Sequence, residues 1–138
     1  MSDTTTKSIE QLIHEYHDAW DRGDQEAGWA FYSDDVLVHM AGRGPLSGDY
    51  HGKQDFVDNW VQRVNAYCDE WRVGYDNKTL MIGDDGVVLM IKETWRKGDK
   101  EFLTDRIGIY RYENELIVEA WFSDMNQAGA EEFFGDLT

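Results

Sequence analysis

At 138 residues, with 41% hydrophobic and 14% aromatic content, the chain has the length of one ordinary domain and enough apolar material for a core. A formal net charge of −15 leaves no basic stripe for nucleic acid and opposes anionic membrane surfaces. The only cysteine, Cys68, permits no intrachain disulfide, the first eight residues have no apolar signal-peptide core, and no apolar run approaches the ~18 residues of a membrane span, so a cytoplasmic setting is expected.

Residues 1–7 are polar and are expected to fray. Ser8 and Gln11 have capping-box spacing, and Ile9, Leu12, Ile13, Tyr16, Ala19 and Trp20 then recur at helical intervals. Gly23 suits a left-handed cap, and Asp24 is placed to cap a second short helix carrying Trp29, Ala30, Phe31 and Tyr32. Asp34 and Asp35 break it, and 36–40 reads as a short strand. The stretch 42–52, with four glycines and the only proline, reads as a loop. A third helix is predicted over 53–66, with Phe56, Val57, Trp60 and Val64 on one face.

The period then changes to two. Trp71, Val73 and Tyr75 alternate with polar residues, and Asp84-Asp85-Gly86 signals a hairpin between 80–82 and 87–95. Lys97-Gly98-Asp99 is another turn, followed by strands over 101–112 and 116–123. Residues 126–138 suit a terminal helix, with Phe133 and Phe134 over one end of the sheet. Helices first and an antiparallel meander after them indicate α+β, read as one domain over 1–138.

Four stretches carry a family resemblance. They are Tyr16-His17-Asp18-Ala19-Trp20-Asp21-Arg22-Gly23-Asp24; Tyr32-Ser33-Asp34-Asp35-Val36; residues 42–53 from Gly42 to Lys53; and Ile109-Tyr110-Arg111-Tyr112 with Ile117-Val118-Glu119-Ala120-Trp121. In this order they resemble the nuclear transport factor 2-like superfamily, nearest its SnoaL-like polyketide-cyclase and ketosteroid-isomerase branches. The resemblance implies a cone-shaped, strongly curved antiparallel sheet wrapped around three N-terminal helices, the cystatin-like arrangement. It also implies a cavity for a small hydrophobic organic molecule and a homodimer through the sheet. Members include isomerases, cyclases, dehydratases, epoxide hydrolases and non-catalytic binders, so function rests on the site.

Enolising a ketone needs a base near the acidic C–H and donors for the developing oxyanion. Tyr16 lies seven residues before Gly23, like the donor Tyr of ketosteroid isomerases, and is either that donor or a core Tyr with a local partner. The positions of the isomerase base and second donor fall on Met40 and Gly108, so the usual isomerase mechanism is not expected. His39 is a candidate because imidazole titrates near neutrality, although strand alternation sends it to the face opposite Met40 unless a bulge intervenes. Asp124, at the end of the last strand, matches the acid/base Asp of SnoaL-like cyclases. It is either at the cavity mouth with a raised pKa or solvated.

Arg106 shares parity with Gly108 and is expected inside, as is Tyr110. Trp20, Trp29, Trp60 and Trp121, with Met40 and Phe56, are candidates for an apolar wall or for plain core. The epoxide hydrolases of this fold use an Asp-Arg-Asp set. Asp105, Arg106 and Asp124 supply the residue types without a matching motif. His14 and His17, at i and i+3, read as a solvated helix face with no third metal ligand. Cys68, followed by Asp69 and Glu70, reads as structural. No nucleotide, flavin, haem or metal motif is visible, so cofactor-free acid/base chemistry is expected on a carbonyl or polyketide-like compound. A non-catalytic binding protein and an interaction module remain alternatives.

Overall fold

The computed structural model describes residues 7–137. Helix α1 spans Ile9–Asp21, where Ser8 Oγ accepts the Gln11 N–H at 3.1 Å. Gly23, at φ +81°, turns the chain into α2, Gln25–Trp29, which Asp24 caps through the Ala27 N–H. Of the segment expected to fray, residues 1–6 lie outside the described residues. Lys7 is held: its N–H donates to Glu115 and its Nζ sits 2.8 Å from Glu15.

Strand β1, Tyr32–Met40, starts four residues earlier than the sequence pattern suggests. The glycine-rich stretch contains a short edge strand, β2, Gly48–His51, paired antiparallel to the end of β1. Glycines mark the turns there, and backbone pairing with β1 supplies the strand that side-chain pattern does not show. The third helix is continuous but not uniform. It runs through α3, Lys53–Phe56, a π-helical turn, Val57–Val61, and α4, Gln62–Tyr67.

The meander follows as β3, Glu70–Ile82; β4, Gly86–Lys97; β5, Lys100–Glu113; and β6, Leu116–Asp124, closed by α5, Gln127–Phe133. One curved, unclosed six-stranded sheet results, ordered β2-β1-β6-β5-β4-β3. It departs from the expected all-antiparallel pattern in one place, because β1 pairs parallel with β6. The meander leaves the edge of β6 open, and β1 covers it in the same chain direction. Helix α1 packs on β3 and β4. The core of Ile13, Val36, Val38, Val61, Val64 and Ile117 lies between helices and sheet. Among the described residues no helix is long and apolar enough to cross a membrane.

Candidate functional site

Strand alternation selects what enters the concave side. On β4 it turns Ile91, Glu93 and Trp95 inward, on β5 Thr104, Arg106, Gly108 and Tyr110, and on β6 Ala120, Phe122 and Asp124. These side chains and the helices surround two small adjoining chambers. The inner one, about 30 Å³, lies among Tyr16, His17, Trp20, Tyr32, Phe56, Trp71 and Tyr110. The outer one, about 40 Å³, lies between the 41–47 loop, Trp95, Asp124 and the α5 residues Gln127, Glu131 and Phe134. Met40, Trp60, Arg106 and Phe122 border both and form the partition.

The interior is fuller than the expected open cone. Rings occupy it in contact, with Trp20 against Trp71 at 5.4 Å, Trp60 against Trp71 at 5.6 Å and Phe56 stacked on Trp60 at 5.5 Å. An apolar cavity of ~150 Å³ takes up benzene. Neither chamber reaches that size, so a ring enters only if the partition moves. Met40, unbranched and adaptable, is the wall residue suited to moving.

The partition carries the chemistry. Arg106 is 4% exposed. Its Nη1 donates to Glu93 Oε2 at 2.9 Å and its Nη2 to Met40 Sδ at 3.2 Å. Its Nε lies 3.4 Å from Asp124 Oδ1 but makes no hydrogen bond. The guanidinium carbon sits 5.3, 5.8 and 5.1 Å from the ring centres of Trp60, Trp95 and Phe122. Glu93 is satisfied on its other oxygen by the Nε1–H groups of Trp71 and Trp95, at 2.8 and 3.1 Å. Thr104 Oγ1 donates to Asp124 Oδ1 at 2.6 Å. Burial holds the Asp124 carboxyl above the usual carboxylate range, outweighing the opposing pull of Arg106 and Thr104. A carboxyl so placed can take up and return a proton at the edge of the outer chamber.

Deeper in, Tyr16 Oη lies 2.5 Å from Tyr32 Oη. Burial raises the pKa of Tyr16, Tyr32 and Tyr110 well above the ordinary phenol value, so all three stay neutral. His17, read from sequence as solvated, is 1% exposed and stacks on Tyr75. Burial lowers its pKa to about 3. Its neighbour His14 bonds Tyr75 Oη at 2.7 Å.

Tyr16, Trp20, Met40, Phe56, Trp60, Arg106, Tyr110 and Asp124 therefore all border the chambers. Tyr16 and Asp124, however, border different ones. His39 does not reach either chamber. The register irregularity of β1 lies before Leu37, and unbroken alternation from Leu37 to Met40 puts His39 on the outer sheet face, stacked on Trp121 and bonded to Asp49 and Glu119 at 2.8 Å each. Partial burial lowers its pKa, but the two carboxylates prevail and raise it. Trp121, of opposite parity to Phe122, is on that outer face too, and Trp29 packs at the core margin without lining a chamber.

Asp105 also points outward, to Lys92 at 2.9 Å, so no Asp-Arg-Asp set forms, and the second carboxylate beside Arg106 is that of Glu93. At the isomerase base position Met40 accepts an Arg106 N–H. At Gly108 a side chain would strike Ile91 Cδ1 at 2.6 Å, so neither position offers a catalytic group. Burial, with help from Glu93, pushes the Cys68 thiol up to about 12. Glu93 went unread in sequence, although it lies two residues from Ile91 and Trp95 in the inward register of β4. Among the described residues no cluster of three His, Cys, Asp or Glu could hold a metal.

A family model described as the SnoaL-like domain matches residues 13–120. No curated protein matches by sequence. Solved structures do match. A protein of unknown function with a cystatin-like fold from Xanthomonas campestris is 19% identical with a TM-score of 0.81, covering 92% of this chain and 98% of its own. TerC, co-crystallised with polyporic acid, is 13% identical with a TM-score of 0.74 over 88% and 95%. A ketosteroid isomerase-like fold from Catenulispora acidiphila, in complex with trimethylamine, is 14% identical with a TM-score of 0.70 over 90% and 93%.

Proposed function

This chain belongs to the SnoaL-like domain family, and from that premise we propose that it binds a small neutral organic molecule in its interior and moves protons on it. The observation that carries the reading is Asp124, a buried carboxyl of raised pKa at the outer chamber, held by Thr104 and faced by the unused Arg106 Nε–H. The substrate is a carbonyl compound of polyketide-like kind. Asp124 as carboxylate removes a proton from the carbon beside the carbonyl, the C–H electron pair becomes the enolate, and the Arg106 N–H or a Tyr hydroxyl bonds its oxygen. The protonated Asp124 then returns the proton to another carbon, giving an isomer; where the enolate carbon first adds to a second carbonyl of the same molecule, that C=O π pair becomes an alkoxide that takes the proton, giving a ring-closed product. That similar folds have been crystallised with small organic molecules, polyporic acid and trimethylamine, supports a small-molecule ligand.

Native mass spectrometry of freshly purified protein would identify a retained molecule. Asp124→Asn is then expected to lower its turnover by about 10²–10⁴-fold with binding retained. Unchanged turnover overturns the acid/base role. The occupied Met40 and Gly108 positions favour a second reading, a non-catalytic binding protein for an apolar metabolite. Recovery of the ligand unaltered after prolonged incubation decides for that reading.

The proposal extends to the whole chain as one cytoplasmic small-molecule domain that pairs with a second copy through the outer sheet face. Two grooves of about 410 Å³ each lie there, around Trp121 and Ile109. They exceed the inner chambers in volume, but they are open and lined largely by apolar side chains such as Ile107, Ile109 and Trp121, and suit a protein surface better than a reaction site.

A further inference from the structure

His17 reaches the inner chamber from α1 with an unfilled valence. It is 1% exposed, its Nε2 lies 3.4 Å from Tyr110 Oη, and its Nδ1 has no hydrogen-bond partner among the described residues. A neutral imidazole has one donor and one acceptor nitrogen, so one of its two bonds is missing whichever nitrogen carries the proton. Buried polar atoms are otherwise almost always paired. The chamber that His17 lines is where a partner can enter.

The surroundings restrict that partner. Rings of Tyr16, Trp20, Phe56, Trp60 and Trp71 wall the chamber, which suits a flat apolar body. The Arg106 charge is already met by Glu93 and Asp124, so a charged ligand would find no counter-ion. A hydroxyl both donates and accepts, and it serves either tautomer of His17. A carbonyl serves only one.

We propose that the inner chamber is a hydroxyl-recognising subsite in which His17, positioned by Tyr110 at its Nε2, reads through Nδ1 the O–H of a neutral aromatic or enolic ligand. This rests on the interior being the ligand site and adds the chemical class. The ring enters as Met40 swings aside and joins the two chambers, leaving the far side of the molecule toward Asp124. His17 acts here as a specificity residue and exchanges no proton.

Phenol and toluene, alike in shape and differing in the hydroxyl, are the probes. Calorimetric titration is expected to show phenol binding at least ~10-fold tighter than toluene, with the His17 ring ¹⁵N signals moving on addition of phenol. His17→Phe, which keeps a ring against Tyr75, is expected to reduce that preference to under ~3-fold. Tyr110→Phe is expected to reduce it in part, and it serves as the readout if the first variant fails to fold. Equal affinities, no binding of either probe, or an intact preference in the folded variants overturns the proposal. Asp124→Asn is expected to keep the phenol preference. Loss of the acid/base reading alone would thus show as unchanged turnover beside an intact preference.

Discussion

His17 shows how burial changes what a side chain can do. Its low folded pKa, about 3 against 6.5, means that the unfolded chain binds a proton there more readily than the native one. Stability must therefore fall as pH drops below 6.5, at about 1.36 kcal/mol per unit. Relative to His17→Phe, the wild type is expected to lose about 3 kcal/mol between pH 7 and pH 4 in urea melts. A constant difference between the two would refute the burial effect. Asp124 has the opposite sign: its raised folded pKa gives stabilisation that is complete below its ordinary 3.8 and lost as pH rises through the folded value. Arg106 was legible through its parity with Gly108 along one strand, and Asp124 through the resemblance to SnoaL-like cyclases, whose acid/base Asp ends the last strand. His17 was legible in principle, four residues after Ile13 and three before Trp20 in the apolar stripe of α1. Its spacing of three from His14 suggests a solvated face instead, and only its place on the stripe between Ile13 and Trp20 points inward.

Three neighbouring strands assemble the charged cluster. Arg106 on β5 stands directly opposite Asp124 on β6, and Glu93 on β4 stands opposite Thr104, one inward position along from Arg106. No short sequence motif records this set, since its members are spread over 93–124 and only register brings them together. Arg106→Met leaves Glu93 and Asp124 buried without a cation and is expected to cost about 3–5 kcal/mol. Adding Glu93→Gln removes one stranded charge and keeps an oxygen for the Trp71 and Trp95 N–H groups. The double variant should then be more stable than Arg106→Met alone by chemical denaturation. A double variant as unstable as the two single losses combined would show that the pair contributes through something other than charge balance. The same elements mark the limits of pattern reading. Period two located β3 to β6, but the π-helical turn that carries Trp60 leaves no trace in an otherwise ordinary amphipathic helix.

At the scale of the molecule, the α+β class and the order of the elements other than β2 followed from helical and alternating periods, while the filled interior did not. Void size depends on how rings interlock, to about an ångström, and composition reports only that the rings exist. The convex side of the sheet shows Met81, Leu103 and Ile109 at 68%, 68% and 38% exposure. With the proposed pairing, sedimentation at micromolar concentration should give about twice the 16.1 kDa chain mass. Two copies each carrying −15 repel, so association should strengthen as salt is added. Ile109→Lys should shift the equilibrium to single chains, and a 16 kDa species in the wild type at every salt concentration would dismiss the pairing.

The seam between β1 and β6 has a further consequence for how the molecule comes into being. It joins residues 37–40 to residues 119–122, some eighty positions later. While a ribosome is still making the intervening strands, β1 has only β2 beside it, and Met40 has no Phe122 to lean on. The ligand space is therefore among the last things to exist. Closure waits for distant contacts that are slow to find, and a nascent chain halted before β6 would show helices and hairpins with no interior to fill.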